Sequence, residues 1–410
     1  MLIQRTLLAI GCCGFLFTAS LFGRMQSDKL FSVKVMTQDR NERNQIVNAG
    51  IAIDKVFSDA VGFIGTNRDI EKLKALGFKL KVSDLSQRKF DFPSSDQSFH
   101  NYSEVNSALE QIVTKHPNIA SRFSIGKSLE GRELRGIRLS GSKKEDTLPT
   151  AIFMGCHHAR EHLSVEVPLK LAEYLSDKYD SDSRIKDLLD SREVLIVPMI
   201  NPDGAEYDIS SGDYKYWRKN RRKNSDGSYG VDLNRNYAKG FGGEGSSSST
   251  SSDIYHGPSA FSEPETQAVR DWVKSRKKTT VLLSFHTFSE LVLWPFGHTN
   301  DEVPSHTDQL VFEAMGKKMA SWNKYTPQKS SDLYLASGDT TDWAYDELKI
   351  FAFTFELSPD SMFSGGFYPG ASAIEPTFQA NIEPALYLIE KAENPYSVLK
   401  EQNDPLKLIP

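Results

Sequence analysis

The sequence has few cysteines, no long hydrophobic run beyond its first 22 residues and no internal repeat. Its 410 residues include 3 Cys, 18 Pro and 27 Gly, and the formal net charge is −5. These values exclude a collagen, a coiled coil, a multi-span membrane protein and a wholly disordered chain. Because basic residues are not in excess, nucleic acid is not expected as a partner. We therefore expect a soluble globular protein whose function depends on a localised site.

The first 23 residues match the pattern of a secretory signal peptide. Arg5 precedes an apolar run from Leu7 to Phe17, and small residues follow this run. Cys12 and Cys13 lie within it, so cleavage leaves Cys156 as the single thiol and excludes an internal disulfide, which is typical of an exported bacterial protein. The alternatives are an uncleaved anchor, for which the run is short, and a lipidated Cys12. We expect a secreted or periplasmic protein that is not stably inserted in a membrane.

The charge distribution divides the remaining chain into two parts. Residues 24–95 carry 13 Lys/Arg and 9 Asp/Glu, whereas residues 96–410 have a net charge of −10. Within the first part, residues 31–36 and 78–82 are strand-like, and residues 68–76 have a helical pattern. A small basic α/β module therefore precedes a larger acidic one.

A polar linker that contains the dibasic pair Arg88-Lys89 follows the basic module. Linkers of this kind are preferred sites of proteolysis. Taken alone, the pair is an ordinary solvated pair, but its position between oppositely charged modules, behind a signal peptide, favours a removable pro-segment. We predict a signal peptide over 1–23, a pro-segment over 24–95, a catalytic domain over 96–393 and a C-terminal tail over 394–410.

From Tyr102 onward, strand-like apolar runs alternate with helical patterns, which indicates an α/β domain with a largely parallel sheet. The apolar runs are Thr150–Met154, Val194–Met199, Val281–Phe285 and Ile350–Phe355. Helices are predicted over 165–179, after Ser262 and over 382–389. The Gly/Ser-rich stretch 240–253 is predicted to be a surface loop.

Side chains suited to catalysis follow three of these runs. The first run is followed by two adjacent histidines and then a Glu-His pair, the third by one histidine and the fourth by one glutamate: His157, His158, Glu161, His162, His286 and Glu356. In open α/β sheets the ligand crevice lies at the carboxyl ends of the strands. We therefore expect these residues to meet at one edge of the sheet.

Three of these side chains form a potential zinc site. Catalytic zinc uses three nitrogen or oxygen ligands and leaves one position open for water, and His158, Glu161 and His286 supply such a set. Glu356 is the candidate general base that takes a proton from that water.

The spacing His158-x-x-Glu161-His162 has a second interpretation, in which both histidines are ligands and the glutamate is a base on a helix. The two interpretations give Glu161 opposite roles. Because the segment follows a strand and the helix is predicted only from Val165, we favour Glu161 as a ligand. His157 and His162 then have supporting or structural roles.

Further short motifs accompany these residues along the chain. They are His158-Ala159-Arg160-Glu161, Asn201-Pro202-Asp203-Gly204, Trp217-Arg218-Lys219, Gly230 to Asn236, Tyr255-His256-Gly257, Ser284-Phe285-His286, Tyr334, Asp342-Trp343 and Phe353 to Glu356. In this order they resemble the zinc carboxypeptidases of the carboxypeptidase A, B and T type, over residues 97–393. The resemblance implies a central mixed, mostly parallel eight-stranded sheet flanked by helices, one catalytic zinc and removal of the C-terminal residue from peptides. We expect a monomer that acts on peptides or proteins.

The resemblance also implies roles for individual residues. His158, Glu161 and His286 correspond to the zinc ligands, and Glu356 corresponds to the general base. Arg218 corresponds to the cation that stabilises the tetrahedral oxyanion. The substrate contacts are Asn234 and Arg235, which match a clamp on the terminal carboxylate, Arg160, which matches a secondary carboxylate or carbonyl contact, and Tyr334, which matches the phenol that closes over the substrate.

Specificity in this family depends on the residue before the Asp342-Trp343 pair, at the base of the side-chain pocket. An apolar residue there accompanies apolar substrates, and an Asp accompanies basic ones. This chain has Thr341 at that position and Asp339 two positions earlier, which departs from both patterns and resembles carboxypeptidase T. A desolvated Asp339 disfavours an apolar residue and pairs with Lys or Arg. We expect both apolar and basic C-terminal residues to be accepted.

Residues 24–95 resemble the family's pro-regions in position and rough pattern. We therefore expect a zymogen whose basic segment covers the acidic catalytic domain until an activating protease cuts between Arg88 and Ser95. Bound calcium is a further expectation by analogy with the carboxypeptidase T group, although no loop has a clear calcium-ligand spacing.

Three alternatives share parts of this site. A peptidoglycan-stem peptidase has the same ligands and base, and an ester or small-amide hydrolase uses a related scaffold. The presence of Asn234, Arg235 and Tyr334 favours ordinary C-terminal residues over both. A catalytically silent binding module is expected to lack a zinc ligand or the general base. This chain has all four of these residues: His158, Glu161, His286 and Glu356.

Overall fold

The computed structural model describes residues 30–37, 39–84, 96–210 and 214–401. The predicted signal peptide, the Arg88-Lys89 linker and the end of the predicted tail lie outside the described residues. In the described part of the chain, no helix is both long and apolar enough to cross a membrane.

The N-terminal module is a four-stranded antiparallel sheet with two helices. Its strands lie in the order β2-β3-β1-β4. The elements are β1 (Leu30–Met36), α1 (Arg40–Asn48), β2 (Lys55–Val56), β3 (Ala60–Thr66), α2 (Asn67–Ala75) and β4 (Leu80–Asp84). The strand-like and helical patterns in the sequence correspond to β1, α2 and β4.

Local signals in the sequence determine where α2 begins and ends. Asp69 accepts hydrogen bonds from the backbone and hydroxyl groups of Thr66, at 2.9 and 2.8 Å, which stabilises the first turn of the helix. Gly77 follows the helix with a φ of 86°, a conformation that glycine adopts without strain. The helix packs its buried Ile70 and Leu73 on the buried side of the sheet, which includes Val33.

The larger, C-terminal part of the described chain is built on an eight-stranded sheet with the strand order β11-β10-β12-β9-β7-β8-β6-β5. The strands are β5 (Ala120–Lys127), β6 (Glu133–Leu139), β7 (Thr150–Gly155), β8 (Glu193–Val197), β9 (Thr279–Thr287), β10 (Leu291–Trp294), β11 (Thr326–Lys329) and β12 (Phe351–Leu357). The helices are α3 (Tyr102–Lys115), α4 (Leu163–Lys178), α5 (Ser183–Ser191), α6 (Pro202–Ile209), α7 (Pro264–Ser275), α8 (His306–Asn323), α9 (Thr340–Leu348), α10 (Ile374–Lys391) and α11 (Ser397–Glu401).

The four central strands, β12, β9, β7 and β8, are parallel, while β5, β6 and β10 supply antiparallel pairings. All six residues of β7 are buried, as expected for a parallel strand that is covered on both faces. Alternate residues of β7 pack on opposite faces of the sheet. Phe153 packs in the core that includes α4, α8 and α10, and Ile152 packs in the core that includes α7 and α9. The predicted mixed eight-stranded sheet flanked by helices is confirmed.

The register of the parallel strands brings the reactive segments to one edge of the sheet. Glu356 on β12 lies opposite His286 on β9, and Gly155 at the end of β7 lies opposite Phe285. The Gly/Ser-rich stretch 240–253 contains no helix or strand and forms a loop. Residues 394–401, which begin the predicted tail, pack against the domain: Tyr396 donates to Asp308 at 2.9 Å, and Val398 is buried.

Candidate metal centre and active-site cleft

The loop between β7 and α4 contains two of the three candidate ligands, His158 and Glu161, and is held in a tight conformation. A Cβ atom at Gly155 would lie 1.9 Å from the backbone oxygen of Ser164, so only glycine allows this close approach. The Ser164 hydroxyl donates to the Glu161 carbonyl at 2.5 Å and accepts from the Cys156 backbone at 3.0 Å. Cys156 has a φ of 56°, which turns the chain away from the strand. The loop therefore presents His158 and Glu161 toward the sheet edge.

His158, Glu161 and His286 converge as predicted, with one potential ligand atom from each residue within 4.8 Å of the others. The Nδ1 atoms of the two histidines are 3.1 Å apart. Glu161 lies between them, with Oε1 at 2.7 Å from His158 Nδ1 and Oε2 at 3.0 Å from His286 Nδ1. All three side chains are buried. A divalent cation placed between these atoms accepts a lone pair from both imidazole nitrogens and from the carboxylate.

The Nε2 atoms of His158 and His286 also have polar neighbours. His158 Nε2 lies 3.2 Å from Asp232 Oδ1, and His286 Nε2 lies 3.1 Å from Ser284 Oγ. The Asp232 carboxylate favours a proton on Nε2 of His158, and the Ser284 hydroxyl can accept one from Nε2 of His286, which leaves the Nδ1 lone pairs for a metal. Two imidazoles and one carboxylate form the donor set of many catalytic zinc sites. The residues present therefore fit zinc.

The two remaining histidines of the loop have hydrogen-bond partners outside the three candidate ligands. His162 Nε2 lies 3.0 Å from Asp208 Oδ2. His157 Nε2 lies 2.9 Å from the Tyr237 hydroxyl, and burial, then the neighbouring His286 and His158 rings, hold the pKa of His157 well below its usual range. The geometry therefore favours Glu161, rather than His162, in the ligand set, and α4 begins after His162 at Leu163.

Glu356 lies on β12 beside the ligand strand and lines the same cleft as His158 and Glu161. Burial, and after it the Glu161 carboxylate, raises the pKa of Glu356 to about 8. A carboxylate with a raised pKa is a stronger base than an ordinary one, which suits proton transfer near neutral pH.

Arg218 is buried next to the ligands and is oriented by Asp232, a residue for which the sequence predicted no role. Its Nε donates to Asp232 Oδ2 at 3.0 Å, and its Nη1 lies 4.0 Å from Glu161 Oε1. Asp232 is fully buried and also accepts from the Asn234 backbone at 2.9 Å. The only signal for it in the sequence is its place within the Gly230 to Asn236 motif.

The predicted carboxylate clamp lies in the same cleft. Arg235 is anchored by donating from Nε to the Gly245 carbonyl and from Nη1 to the Asn234 carbonyl, both at 2.8 Å. The Asn234 side-chain oxygen accepts from the Thr340 backbone at 3.0 Å. These anchors fix two polar side chains in the cleft beside the metal centre.

The two predicted specificity residues have different positions. Asp339 lines the cleft, together with the apolar side chains of Leu293, Leu333 and Ala336. Thr341 is buried, is not among the residues that line the cleft and donates its hydroxyl to Asp339 at 3.1 Å. Burial, and next the nearby Asp342 carboxylate, raises the pKa of Asp339 to about 7. The charge of Asp339 therefore changes near neutral pH.

Residues of the N-terminal module line the same cleft, which the sequence did not predict residue by residue. Asp54 accepts from Arg160 Nη2 at 2.6 Å, and both side chains are 1% exposed. The Tyr334 hydroxyl donates to the Ile53 carbonyl at 3.3 Å. Arg43 donates to the Leu333 carbonyl at 2.7 Å, next to Tyr334.

Most of the chain is similar to known proteins. A model of the zinc carboxypeptidase family matches residues 105–384. A zinc carboxypeptidase from Saccharothrix mutabilis subsp. capreolus is 40% identical over 319 residues, which cover 76% of this chain and 73% of that protein. Carboxypeptidase A1 of Bos taurus is 32% identical over 306 residues, which cover 72% and 71% of the two chains. The crystal structure of carboxypeptidase A from Helicoverpa armigera has the same fold, with a TM-score of 0.77 and 24% identity over 92% of this chain and 99% of that one.

Proposed function

The chain belongs to the zinc carboxypeptidase family and is a metallocarboxypeptidase, and from this premise we propose how its residues divide the reaction and what they select. His158, Glu161 and His286 hold one zinc ion. When bound, zinc supplies a Lewis acid that polarises a carbonyl and makes water more acidic. Glu356 takes the proton from the attacking water and passes it to the amine of the released residue. The position of Glu356 opposite His286 in the parallel strands supports this role.

Arg218 stabilises the negative charge that develops on the scissile carbonyl oxygen. A fixed cation lowers the barrier most when it is oriented before the reaction and shielded from water. Arg218 meets both conditions, because it is 7% exposed and Asp232 holds its Nε at 3.0 Å.

Asn234 and Arg235 bind the free carboxylate of the substrate, and Tyr334 closes over it. A guanidinium and an amide anchored side by side match a carboxylate in charge and geometry. This clamp restricts cleavage to the last peptide bond, since an internal residue has no carboxylate at that position.

The enzyme accepts both apolar and basic C-terminal residues. Leu293, Leu333 and Ala336 offer apolar contacts to a leucine or phenylalanine side chain. Asp339 in the same cleft offers a carboxylate to lysine or arginine. Thr341 contributes indirectly, through its hydrogen bond to Asp339.

The protein is exported as a precursor that an activating protease converts to a monomeric enzyme, and residues 24–95 inhibit it until then. The contacts of Ile53, Asp54 and Arg43 with Tyr334, Arg160 and Leu333 support this, because they cover the cleft with the N-terminal module. Cleavage between Arg88 and Ser95 would separate this module from the catalytic domain.

The observation that carries the proposal is the convergence of His158, Glu161 and His286 beside Glu356 and Arg218 in one cleft. The test compares two peptides that differ only in a free or an amidated C-terminus, incubated with protein cut by a trypsin-like protease. We expect release of the last residue from the free peptide alone, and no release after zinc is chelated. Equal cleavage of both peptides would contradict the exopeptidase role, and full activity before any cut would contradict the inhibitory role of the N-terminal module.

A further inference from the structure

Arg160 is a buried cation in the loop between the candidate ligands His158 and Glu161, and only part of its hydrogen-bonding capacity is used within the catalytic domain. Its guanidinium lies 4.2 Å from the centre of the Phe367 ring, which forms one wall of the site. Nη1 donates to the Tyr216 carbonyl at a long 3.4 Å. Nε has no acceptor among the described residues. Arg160 is therefore ready to bind a further acceptor group.

The short partner of Arg160 comes from the N-terminal module. Asp54 Oδ1 lies 2.6 Å from Arg160 Nη2, and Asp54 Oδ2 accepts from the Ile64 backbone at 2.8 Å. Burial raises the pKa of Asp54, and the Arg160 charge counteracts that effect. The Arg160 charge therefore stabilises the ionised form of Asp54, which burial alone would disfavour.

The segment that contains Asp54 has contacts on both sides of the cleft. The Ile53 carbonyl accepts from Tyr334 at 3.3 Å on one side, and Lys55 Nζ lies 3.5 Å from the Ser289 carbonyl on the other. Asp54 thus places an acidic side chain of the N-terminal module in the cleft.

We propose that, in the processed enzyme, Arg160 binds the carboxylate side chain of an Asp or Glu in the substrate, at a position before the released residue. The inference rests on the proposed function, because Asp54 leaves Arg160 only when the N-terminal module is removed. The free carboxylate of the substrate has its own partners in Asn234 and Arg235, so an acidic side chain is the carboxylate source that fits this second site.

One acidic residue of the catalytic domain lies near Arg160 without replacing Asp54. Asp253 Oδ2 is 3.7 Å from Arg160 Nη1, beyond hydrogen-bonding distance, and its side chain is 44% exposed. A pair of this kind contributes little binding energy and is screened by salt. Arg160 therefore keeps most of its affinity for a closer anion.

The test uses N-terminally blocked peptides that end in Leu, with Asp placed in turn at each of the three positions before it, and matched peptides with Asn. The processed enzyme is expected to cleave the Asp peptide about tenfold faster in kcat/KM at one of these positions, as a charge-assisted hydrogen bond implies. The preference should decrease as salt is added. Arg160→Gln is expected to abolish it, and Arg160→Lys to keep part of it. Arg221→Gln, at an arginine that stacks on Tyr207, is the matched control and should keep it in full.

Each outcome decides the proposal. Equal kcat/KM values for Asp and Asn peptides at all three positions would overturn it, while their cleavage would leave the proposed function intact. If Arg160→Gln slows Asp and Asn peptides by the same factor, Arg160 binds the substrate backbone or its terminal carboxylate, and the proposal is wrong. If none of the peptides loses Leu, the proposed function itself fails. Because the wild-type comparison and its salt dependence need no variant, misfolding of Arg160→Gln does not prevent a decision.

Discussion

Asp232 links Arg218 to the metal centre: one carboxylate oxygen accepts from Arg218 Nε at 3.0 Å, while the other lies 3.2 Å from His158 Nε2. A single buried carboxylate thus holds the cation proposed to stabilise the oxyanion by a hydrogen bond and also contacts a ligand proposed to hold zinc. Substitution of a residue that contacts a metal ligand commonly lowers metal affinity as well as the rate of the reaction.

Asp232→Asn is expected to reduce zinc affinity and kcat together, each by about 10- to 100-fold. The amide keeps the shape of the side chain but loses the charge that both partners require. Zinc affinity by competition with a chelator and kcat at saturating zinc are the two measurements. Asp226→Asn, in the same part of the chain but bound to Ser228 and Thr250, is the matched control. A normal zinc affinity in Asp232→Asn would contradict the link.

Glu356→Gln is expected to fold and to retain zinc, while kcat falls by about 100-fold or more. The amide occupies the same space and cannot accept a proton from water. Zinc content and turnover of a dipeptide substrate with a free carboxylate are measured on the same sample. Substantial turnover with full zinc content would mean that another group is the base.

Asp339 is expected to make substrate preference depend on pH. Because its pKa is raised to about 7, Asp339 is largely neutral below that pH and charged above it. The ratio of kcat/KM for peptides ending in Arg to that for peptides ending in Leu should therefore increase as the pH rises through about 7. In Asp339→Asn the ratio should be lower and independent of pH. The fold should persist because Asp339 caps α9 by accepting from the Asp342 backbone at 2.7 Å, and Asn also caps helices well. A constant ratio in the wild-type enzyme would exclude Asp339 as the specificity determinant.

Asp54→Asn is expected to increase the activity of the uncut precursor. The substitution removes the charge that pairs with the buried Arg160, and the loss of one partner in such a pair is strongly unfavourable for the contact. Release of a C-terminal residue by the precursor should rise by about tenfold or more, while activity after proteolysis stays unchanged. Asp59→Asn, at a side chain that is 63% exposed, serves as the control. An inactive Asp54→Asn precursor would show that inhibition depends on other contacts.

Much of the fold was predictable because the strands of a buried parallel sheet are continuous apolar runs. The four runs of the sequence correspond to β7, β8, β9 and β12, and the expected meeting of their carboxyl ends follows from their parallel pairing. The antiparallel pairings of β5, β6 and β10 were implied only by the family resemblance, because periodicity does not specify strand order.

The site could be predicted only in part, because spacing along the chain does not give side-chain direction. The spacing left two interpretations of Glu161 and His162 open, the position after a strand favoured Glu161 as the ligand, and only the structure shows that His162 faces Asp208. Asp232 and Asp54 were not identified, because a buried carboxylate is recognised by its partners and these lie far away in the sequence. Thr341 is at the expected position in the motif, yet its hydroxyl is directed to Asp339.

The most direct test of the account is a titration of zinc into the metal-free, processed protein, with bound zinc and release of a C-terminal residue measured together. The account predicts that activity rises in proportion to zinc and stops at one zinc per chain, and that His286→Ala loses both tight binding and activity. Full activity without zinc, or tight binding of one zinc by His286→Ala, would contradict the proposed centre of His158, Glu161 and His286.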